Sequence, residues 1–308
     1  MATLDSIQKN LLQQVADIHE IPEGAYSLRV NGQLHGKQNS EHIEIVQKTD
    51  APGIDISIKP GTKKESLHIP VILAQSGLRE VVYNDFHVGA DADVTIVAGC
   101  GIHNGGSEAS EHSGIHRFFL GENARVKYIE KHYGEGDGNG RNVMNPTTEI
   151  VMEKGSYLEM QTAQIKGVDS TDRITRAKLA EGATLVAHEK IMTHGDQMAK
   201  TYFEIDLDGE GCGAHVVSRS VAKDRSRQHF VSHINGNAPC TGHTECDAII
   251  MDGASVSAVP EIIAHHPDAS LIHEAAIGKI AGEQLIKLMT LGLTEKEAEE
   301  QIIAGFLK

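Results

Sequence analysis

Residues 89–97 read GADADVTIV and residues 121–129 read GENARVKYI. Each opens on a glycine, passes through small or polar turn residues and enters a run containing β-branched side chains. The same lead-in recurs at GSYLEM from Gly155, GATLVA from Gly182, GAHVV from Gly213 and GASVSAV from Gly253. The interval between most of them is irregular but near 30 residues. Recurrence at that period marks a stacked architecture in which each coil covers its neighbour. Glycine supplies the corners because it tolerates positive φ. A β-solenoid is therefore the first reading of the fold and an antiparallel sandwich the second.

Outward from these stretches, the region from about Ala25 to Glu274 lacks a helical period. It is filled by short alternating runs: EHIEIVQK, IDISIK, ADVTIVAG, ARVKYIEKHY, TEIVMEKG, YLEMQTAQI, ATLVAHEKIM, AHVVSRSV and ASVSAV. Alternation of this kind marks half-buried strands. Ahead of it, Leu4, Ile7, Leu11, Leu12, Val15 and Ile18 recur at steps of three and four, giving a helix that Ile21-Pro22-Glu23-Gly24 stops. Behind it, Ile277, Ile280, Ala281, Leu285, Leu288 and Met289 line one helical face, and Gly292 stands at the C-cap. Thr294 and Glu297 form a capping box that opens a second helix through Ala298, Ile302, Ile303 and Phe306. Three units follow: an N-terminal helix over 1–24, a β core over 25–274 and a helical hairpin over 275–308.

Composition narrows the function. Among 308 residues, 28 Lys and Arg face 43 Asp and Glu, so the net charge of −15 argues against nucleic acid or an anionic membrane as partner. No apolar run reaches the roughly 18 residues of a membrane helix, and the N-terminus lacks the pattern of a secretion signal. Four separated cysteines without a CxxC suit reduced thiols in the cytoplasm. Trp is absent and Gly numbers 31, as in a core of small and β-branched residues with many turns.

Several residues could carry chemistry. Cys246 heads the strand CDAIIM, where Cys246, Ala248 and Ile250 share a face opposite Asp247. On its own it reads first as a small buried hydrophobe and second as a ligand. His273-Glu274 stands just before the expected helix, and neither it nor His188-Glu189 continues into HExxH. Cys100, in VAGCGIHNGG, is a thiol among glycines, a reachable sulfur as readily as a packed one. Cys212 and Cys240 lie in loop-like GEGCGA and NAPCTGH, and His265-His266 reads as a polar turn before Pro267. None of these four has an assigned role. The glycine-rich run 134–140 reads as a hairpin loop. Thiolate, imidazole and carboxylate together suit soft iron, zinc or an iron-sulfur cluster.

The stretches TECDAIIMDGASVSAVPEI, LIHEAAIGKIAGEQLIKLM and LGLTEKEAEEQIIAGF closely resemble the SufB/SufD family of iron-sulfur cluster assembly proteins. The likeness is strong over about Arg219 to Phe306 and traceable back to about His68. It implies a right-handed parallel β-helix with helical ends, working as a non-enzymatic scaffold beside an ABC-type, SufC-like ATPase that docks on the C-terminal helices. It further implies a transient iron-sulfur cluster held by Cys246, His273 and Glu274 as metal ligands, and Cys100 as acceptor from a sulfur donor protein. A flavin has no support in the residues. By the same resemblance the chain pairs as a homodimer or in a SufB/SufD-type heterodimer. Two departures stand out: His132 replaces an aromatic residue and Glu149 a lysine on the sulfur route. The alternatives are a SufD-like structural partner that holds no cluster and, far behind, a β-helix carbohydrate enzyme, which the lack of Trp and of aromatic platforms disfavours.

Overall fold

The computed structural model describes residues 4–16 and 24–308. It begins with helix α1 (Ser6–Ala16), then β1 (Ala25–Val30), β2 (Gln33–Gln38), β3 (Ile43–Gln47) and β4 (Gly53–Ile58). Long strands follow: β5 (Lys63–Leu73), β6 (Arg79–Val88), β7 (Asp93–His103), β8 (Ser110–Leu120) and β9 (Arg125–Glu135). Next come β10 (Asn142–Met144), β11 (Thr147–Met152), β12 (Tyr157–Lys166), β13 (Ser170–Leu179), β14 (Thr184–Thr193) and β15 (Met198–Leu207). The last strands are β16 (Gly213–Ala222), β17 (Arg227–Gly236), β18 (Thr241–Ile250), β19 (Ser255–Ala264) and β20 (Ser270–Gly278). Helices α2 (Gly282–Thr290) and α3 (Glu295–Phe306) close the chain.

From β5 onward, chain-consecutive strands go to opposite sheets, with β10 and β11 sharing one coil. The first sheet runs β2-β1-β5-β7-β9-β12-β14-β16-β18-β20 and the second β19-β17-β15-β13-β10-β8-β6-β4-β3, with β11 also between β13 and β8. From β5 onward, neighbours within each sheet are parallel and one coil apart. A sandwich of hairpins is thereby excluded, and the fold is a two-faced parallel β-helix. Register fixes the coil length: Asp93 lies beside Arg125, 32 residues on, and Tyr157 beside Thr184, 27 residues on. The only antiparallel pairs among the described residues, β1 with β2 and β3 with β4, lie at the N-terminal end.

Between the sheets the core is one side chain deep on each face. Phe86 and Phe118, stacked at 4.4 Å with planes 4° apart, form an aromatic column against which Tyr128 packs edge-on at 5.0 Å. Elsewhere Ile, Leu, Val and Ala fill the narrow space, so few large rings are needed. The loop after β9 is a corner between the two sheets and not the hairpin its glycines suggest. A Cβ on Gly136 would sit 2.2 Å from the Asn104 carbonyl oxygen, and one on Gly138 2.2 Å from that of Gly106. Those glycines let one coil's loop lie directly on the loop below.

Helix α1 buries Leu11, Leu12 and Val15 against the outside of the first sheet. It rests on Gly99 and Gly101 of β7, where added Cβ atoms would meet the Val15 carbonyl oxygen at 2.3 Å and the Leu11 side chain at 3.2 Å. Ile18 and the expected stop at Ile21-Pro22-Glu23 lie outside the described residues. At the other end the expected first C-terminal helix is shortened. Ile277 belongs to β20, whose pairing with β18 extends to Gly278, and α2 starts only at Gly282. Backbone pairing along an open sheet edge outweighs helix propensity there. The Thr294–Glu297 capping box is present, and Gly292 has φ +99°. Helix α3 buries Ala298 and Ile303, the latter against Val221 and Ile249, while α2 buries nothing and leaves Ile286, Met289 and Leu291 exposed. No described helix is long and apolar enough to cross a membrane.

Candidate sulfur and metal site

On β9 the residues Val126, Tyr128, Glu130 and His132 share one parity, and all four are buried. Two apolar positions are thus followed by two polar ones on the inner face of the sheet. The same switch occurs on β8, where His112 and His116 point inward beside Phe118, and on β13, where Arg173 lies between Thr171 and Thr175. Stacking coils in register brings these side chains together inside the β-helix.

Cys100 is at the centre of the first group. It is buried within β7, so the reachability expected of a thiol among glycines is not observed; those glycines admit α1 instead. The thiol is hydrogen-bonded to both His112 and His132. Burial alone would raise its pKa, but the His112 charge and the two imidazole contacts bring it down to about 7. His112 pays the desolvation penalty in turn, yet the Cys100 thiolate and the Glu80 carboxylate raise it to about 10. Glu80 Oε1 lies 3.0 Å from His112 Nδ1, and Arg29 donates to Glu80 Oε2 at 3.2 Å. A carboxylate thus orients an imidazolium against a thiolate, the arrangement that makes a cysteine nucleophilic.

The second group continues along the coil axis. Arg173 Nη1 donates to Glu130 Oε2 at 2.6 Å, Nη2 donates to His132 Nδ1 at 3.1 Å, and Nε lies 3.4 Å from Glu189 Oε1. Because Arg can only donate, His132 accepts at Nδ1 and carries its proton on Nε2, toward Cys100 and Glu130. Tyr128 donates to Glu130 at 3.0 Å, while Thr201 and Ser218 donate to Glu189 at 3.1 and 2.8 Å. Burial pushes the Glu130 carboxyl up, but His132 and Arg173 hold it well below the usual range. Glu189, more desolvated than it is compensated, stays above it.

Register places Glu130, Thr162, Glu189, Ser218 and Cys246 side by side on successive strands of the first sheet. Cys100 pairs with His132 one row away. Five strand spacings separate β7 from β18, roughly 24 Å. A continuous polar track therefore runs through the interior from Cys100 to Cys246. Burial, Glu189 and Asp247 push the Cys246 thiol up to about 12, so it is held protonated.

Parity divides the metal-ligand set read from the sequence. Cys246 and His273 face inward, on diagonal positions of β18 and β20, and His273 Nδ1 lies 2.5 Å from the Thr244 hydroxyl. Glu274 faces outward, 3.5 Å from His243 Nε2. Among the described residues no group of three or more His, Cys, Asp or Glu side chains stands ready to hold a metal ion. Cys212 and Cys240 are buried at the corners before β16 and β18 and adjacent in register, with burial raising both thiols. His265 and His266 stand in the turn after β19. Glu149 is not on the interior route: it points outward to Arg117 at 3.5 Å, whereas its neighbour Thr148 is buried. Arg173 supplies a buried cation on that route.

Residues 75–306 match the family described as SUF system FeS cluster assembly, SufBD core domain. The chain belongs to the SufBD family. It is 29% identical over 277 residues to an iron-sulfur cluster assembly SufBD family protein of Archaeoglobus fulgidus, covering 88% of this chain and 72% of that one. A protein of the same description from Pyrococcus horikoshii is 30% identical over 282 residues, covering 86% and 84%. One from Methanothermobacter thermautotrophicus is 28% identical over 261 residues, covering 83% of this chain and 62% of the relative, so the chain spans less than two thirds of that protein's length. Within this SufBD core, sequence reasoning singled out Cys100, Cys246, His273 and Glu274 but missed Glu80, His112, Glu130, Arg173 and Glu189 as parts of one network. The available signal was charged side chains falling on the apolar parity of a strand.

Proposed function

We propose that this SufBD protein is a SufB-like scaffold on which a nascent iron-sulfur cluster is built and handed on as cargo. The observation that carries the reading is the interior polar track, which begins at an ionisable Cys100 and ends at Cys246. Replacing buried ion pairs by apolar residues of similar volume is often neutral or stabilising by ~1–4 kcal/mol. Stability therefore gives no reason to keep Arg173, Glu130 and Glu189 inside a core this thin, whereas passage of an anionic sulfur species does.

In this reading the ATPase-driven motion opens the β-helix beside β7, and the Cys100 thiolate, buried in the resting structure, attacks the terminal sulfur of a donor protein's persulfide. The donor leaves as its thiolate and Cys100 carries the persulfide. Hydroxyl, imidazole and guanidinium groups line the interior between that persulfide and Cys246. There Cys246, His273 and Glu274 collect iron and sulfur, with the unsatisfied edge of the last coil offering the place for a second chain to complete the ligand set. Every residue of β19 and β20 is half-buried or exposed, and Val259, Ile262, Ile272 and Ile277 stand open to solvent. Helices α2 and α3 dock an ABC-type, SufC-like ATPase, whose hydrolysis supplies the motion; the exposed Ile286 and Met289 of α2 and Leu291 at its C-cap form the apolar part of that dock. The body from β1 to β20 is the β-helix and α1 lies against its outer face, and the scaffold itself hydrolyses nothing.

Anaerobic reconstitution with iron and sulfide, in the presence of the ATPase partner, tests the assignment. Cys246→Ala and Glu274→Ala are expected to lose bound iron and sulfur, and Cys100→Ala to lose only the sulfur delivered by a persulfide donor. Wild-type loading in the Cys246 and Glu274 variants would sink it. The SufD-like reading is favoured by one observation, the outward turn of Glu274 away from the protonated Cys246. Recovery of a distinct SufB-like chain in the native complex would support it.

A further inference from the structure

The strand that carries Cys246 inward carries a different set of ligating side chains outward. His215 of β16 and His243 of β18 are register partners on the outer face of the first sheet. Their rings lie 5.0 Å apart, tilted by 41°, with the two Nδ1 atoms 3.2 Å from each other. His188 packs edge-on against His215 from the other side at 6.4 Å. The far nitrogen of His243, Nε2, is shut off from solvent, makes no hydrogen bond and points toward Glu274 Oε2 at 3.5 Å. His188, His215 and Glu245 also line an open cleft of about 600 Å³.

Two facing imidazole nitrogens at this distance either share a single proton or offer both lone pairs to a cation. Nitrogens bound at about 2.1 Å to one metal ion lie roughly 3.0–3.4 Å apart for right-angled to tetrahedral coordination. A ligating histidine commonly gives its other ring N–H to a carboxylate, which fixes the ring. Glu274 stands where that carboxylate belongs.

We propose that His215 and His243 bind a divalent first-row metal ion through their Nδ1 atoms, with Glu274 as the outer carboxylate that orients His243. Glu245, two residues beyond His243 on the same face, reaches the ion by a side-chain rotation, and water fills the remaining positions. Two fixed ligands and an open sphere hold an ion loosely, as a site that passes metal onward must. That the ion is iron rests on the assembly role proposed above; the metal site itself does not. In that setting iron would wait on the outer face of β18 while sulfur arrives on the inner one.

The test is an anaerobic titration of the full chain with Co²⁺, carried in a Cys246→Ala background so that no cluster-site thiolate contributes. One equivalent is expected to bind with visible d–d bands of nitrogen and oxygen ligation. His243→Ala and the volume-conserving His243→Gln and His215→Gln should each weaken binding at least tenfold, and Glu274→Gln by roughly 10- to 100-fold. Thermal melts of these outer-face variants confirm that they are folded. The proposal is overturned if the parent binds no cobalt, if the His215 and His243 variants bind as the parent does, or if His273→Ala abolishes binding instead. Cobalt binding that follows these expectations, in a protein whose Cys246→Ala form still assembles clusters normally, would refute the assembly reading and leave the metal site standing.

Discussion

Replacing His112 by Asn should return Cys100 to the behaviour of an ordinary buried thiol. In the folded protein Cys100 ionises near 7 against a usual 9.0, and the largest influence opposing burial is the His112 charge. Cys212 is pushed up to about 11, Cys246 to about 12, and Cys240 also above its usual value. A pH titration of thiolate absorbance in the far ultraviolet should therefore show a single cysteine ionising near neutrality, and Cys100→Ser should abolish that step. Without the imidazolium, burial drives the midpoint to 9.0 or beyond. A displacement of two units is about 2.7 kcal/mol at 1.36 per unit, and at pH 7 it lowers the ionised fraction from about half to about one in a hundred. The signs give a window. The lowered Cys100 pKa contributes stability that is full above 9.0 and lost as pH falls through about 7. The raised His112 pKa contributes stability that is full below 6.5 and lost as pH rises through about 10. The two titrate as a pair whose charged form prevails between about 7 and 10. A step that stays near 7 in the Asn variant, or one that survives in Cys100→Ser, would refute the reasoning.

Other outcomes follow from the same network and its surroundings. Arg173→Met leaves Glu130 and Glu189 buried without their shared cation and should cost ~3–5 kcal/mol in chemical denaturation; adding Glu130→Gln and Glu189→Gln should recover most of it, and no recovery would mean that Arg173 acts by packing alone. Because Glu130 is held well below the usual carboxylate range, its contribution is present above that range and lost as pH falls through the folded value, so the stability gap between wild type and Glu130→Gln should be full near neutral pH and close in acid, as followed by circular dichroism. Gly99→Ala drives a Cβ toward the Val15 carbonyl and should release α1, seen as faster proteolysis within residues 4–16 with an unchanged β signal. Equal cleavage rates would show that the helix adjusts instead.

The solenoid was legible because its corners recur and because strands such as β7, β9 and β14 alternate cleanly. Strands β8, β13, β15 and β17 were harder to see, for a reason tied to function. Their inward positions include His112, Gly114, His116, Thr171, Arg173, Thr201, Gln228 and Ser232, which blur the contrast between faces. Cys246 was placed on the correct face by parity alone. Its separation from Glu274 follows from the same rule, since adjacent residues on a strand point to opposite sides and His273 is the one that shares the inner face. What linear reading could not supply was the pairing of residues a coil apart, such as Cys100 with His132, because coil length varies from 27 to 32 residues. Glu149 failed by one position for the same reason: the inner residue is Thr148.

The regular stacking of β7, β9, β12, β14, β16 and β18 makes the molecule a ruler. Separation between its two sulfur positions is counted in whole strands, so it can change only in increments of about 4.8 Å. Excising one complete coil, corner to corner, would preserve the inward or outward sense of every remaining side chain, whereas deleting a single residue inside a strand would invert those after it as far as the next corner. Length and chemistry are thereby independent variables in this architecture, and a family built on it can lengthen or shorten the interval between its thiols without redesigning either end.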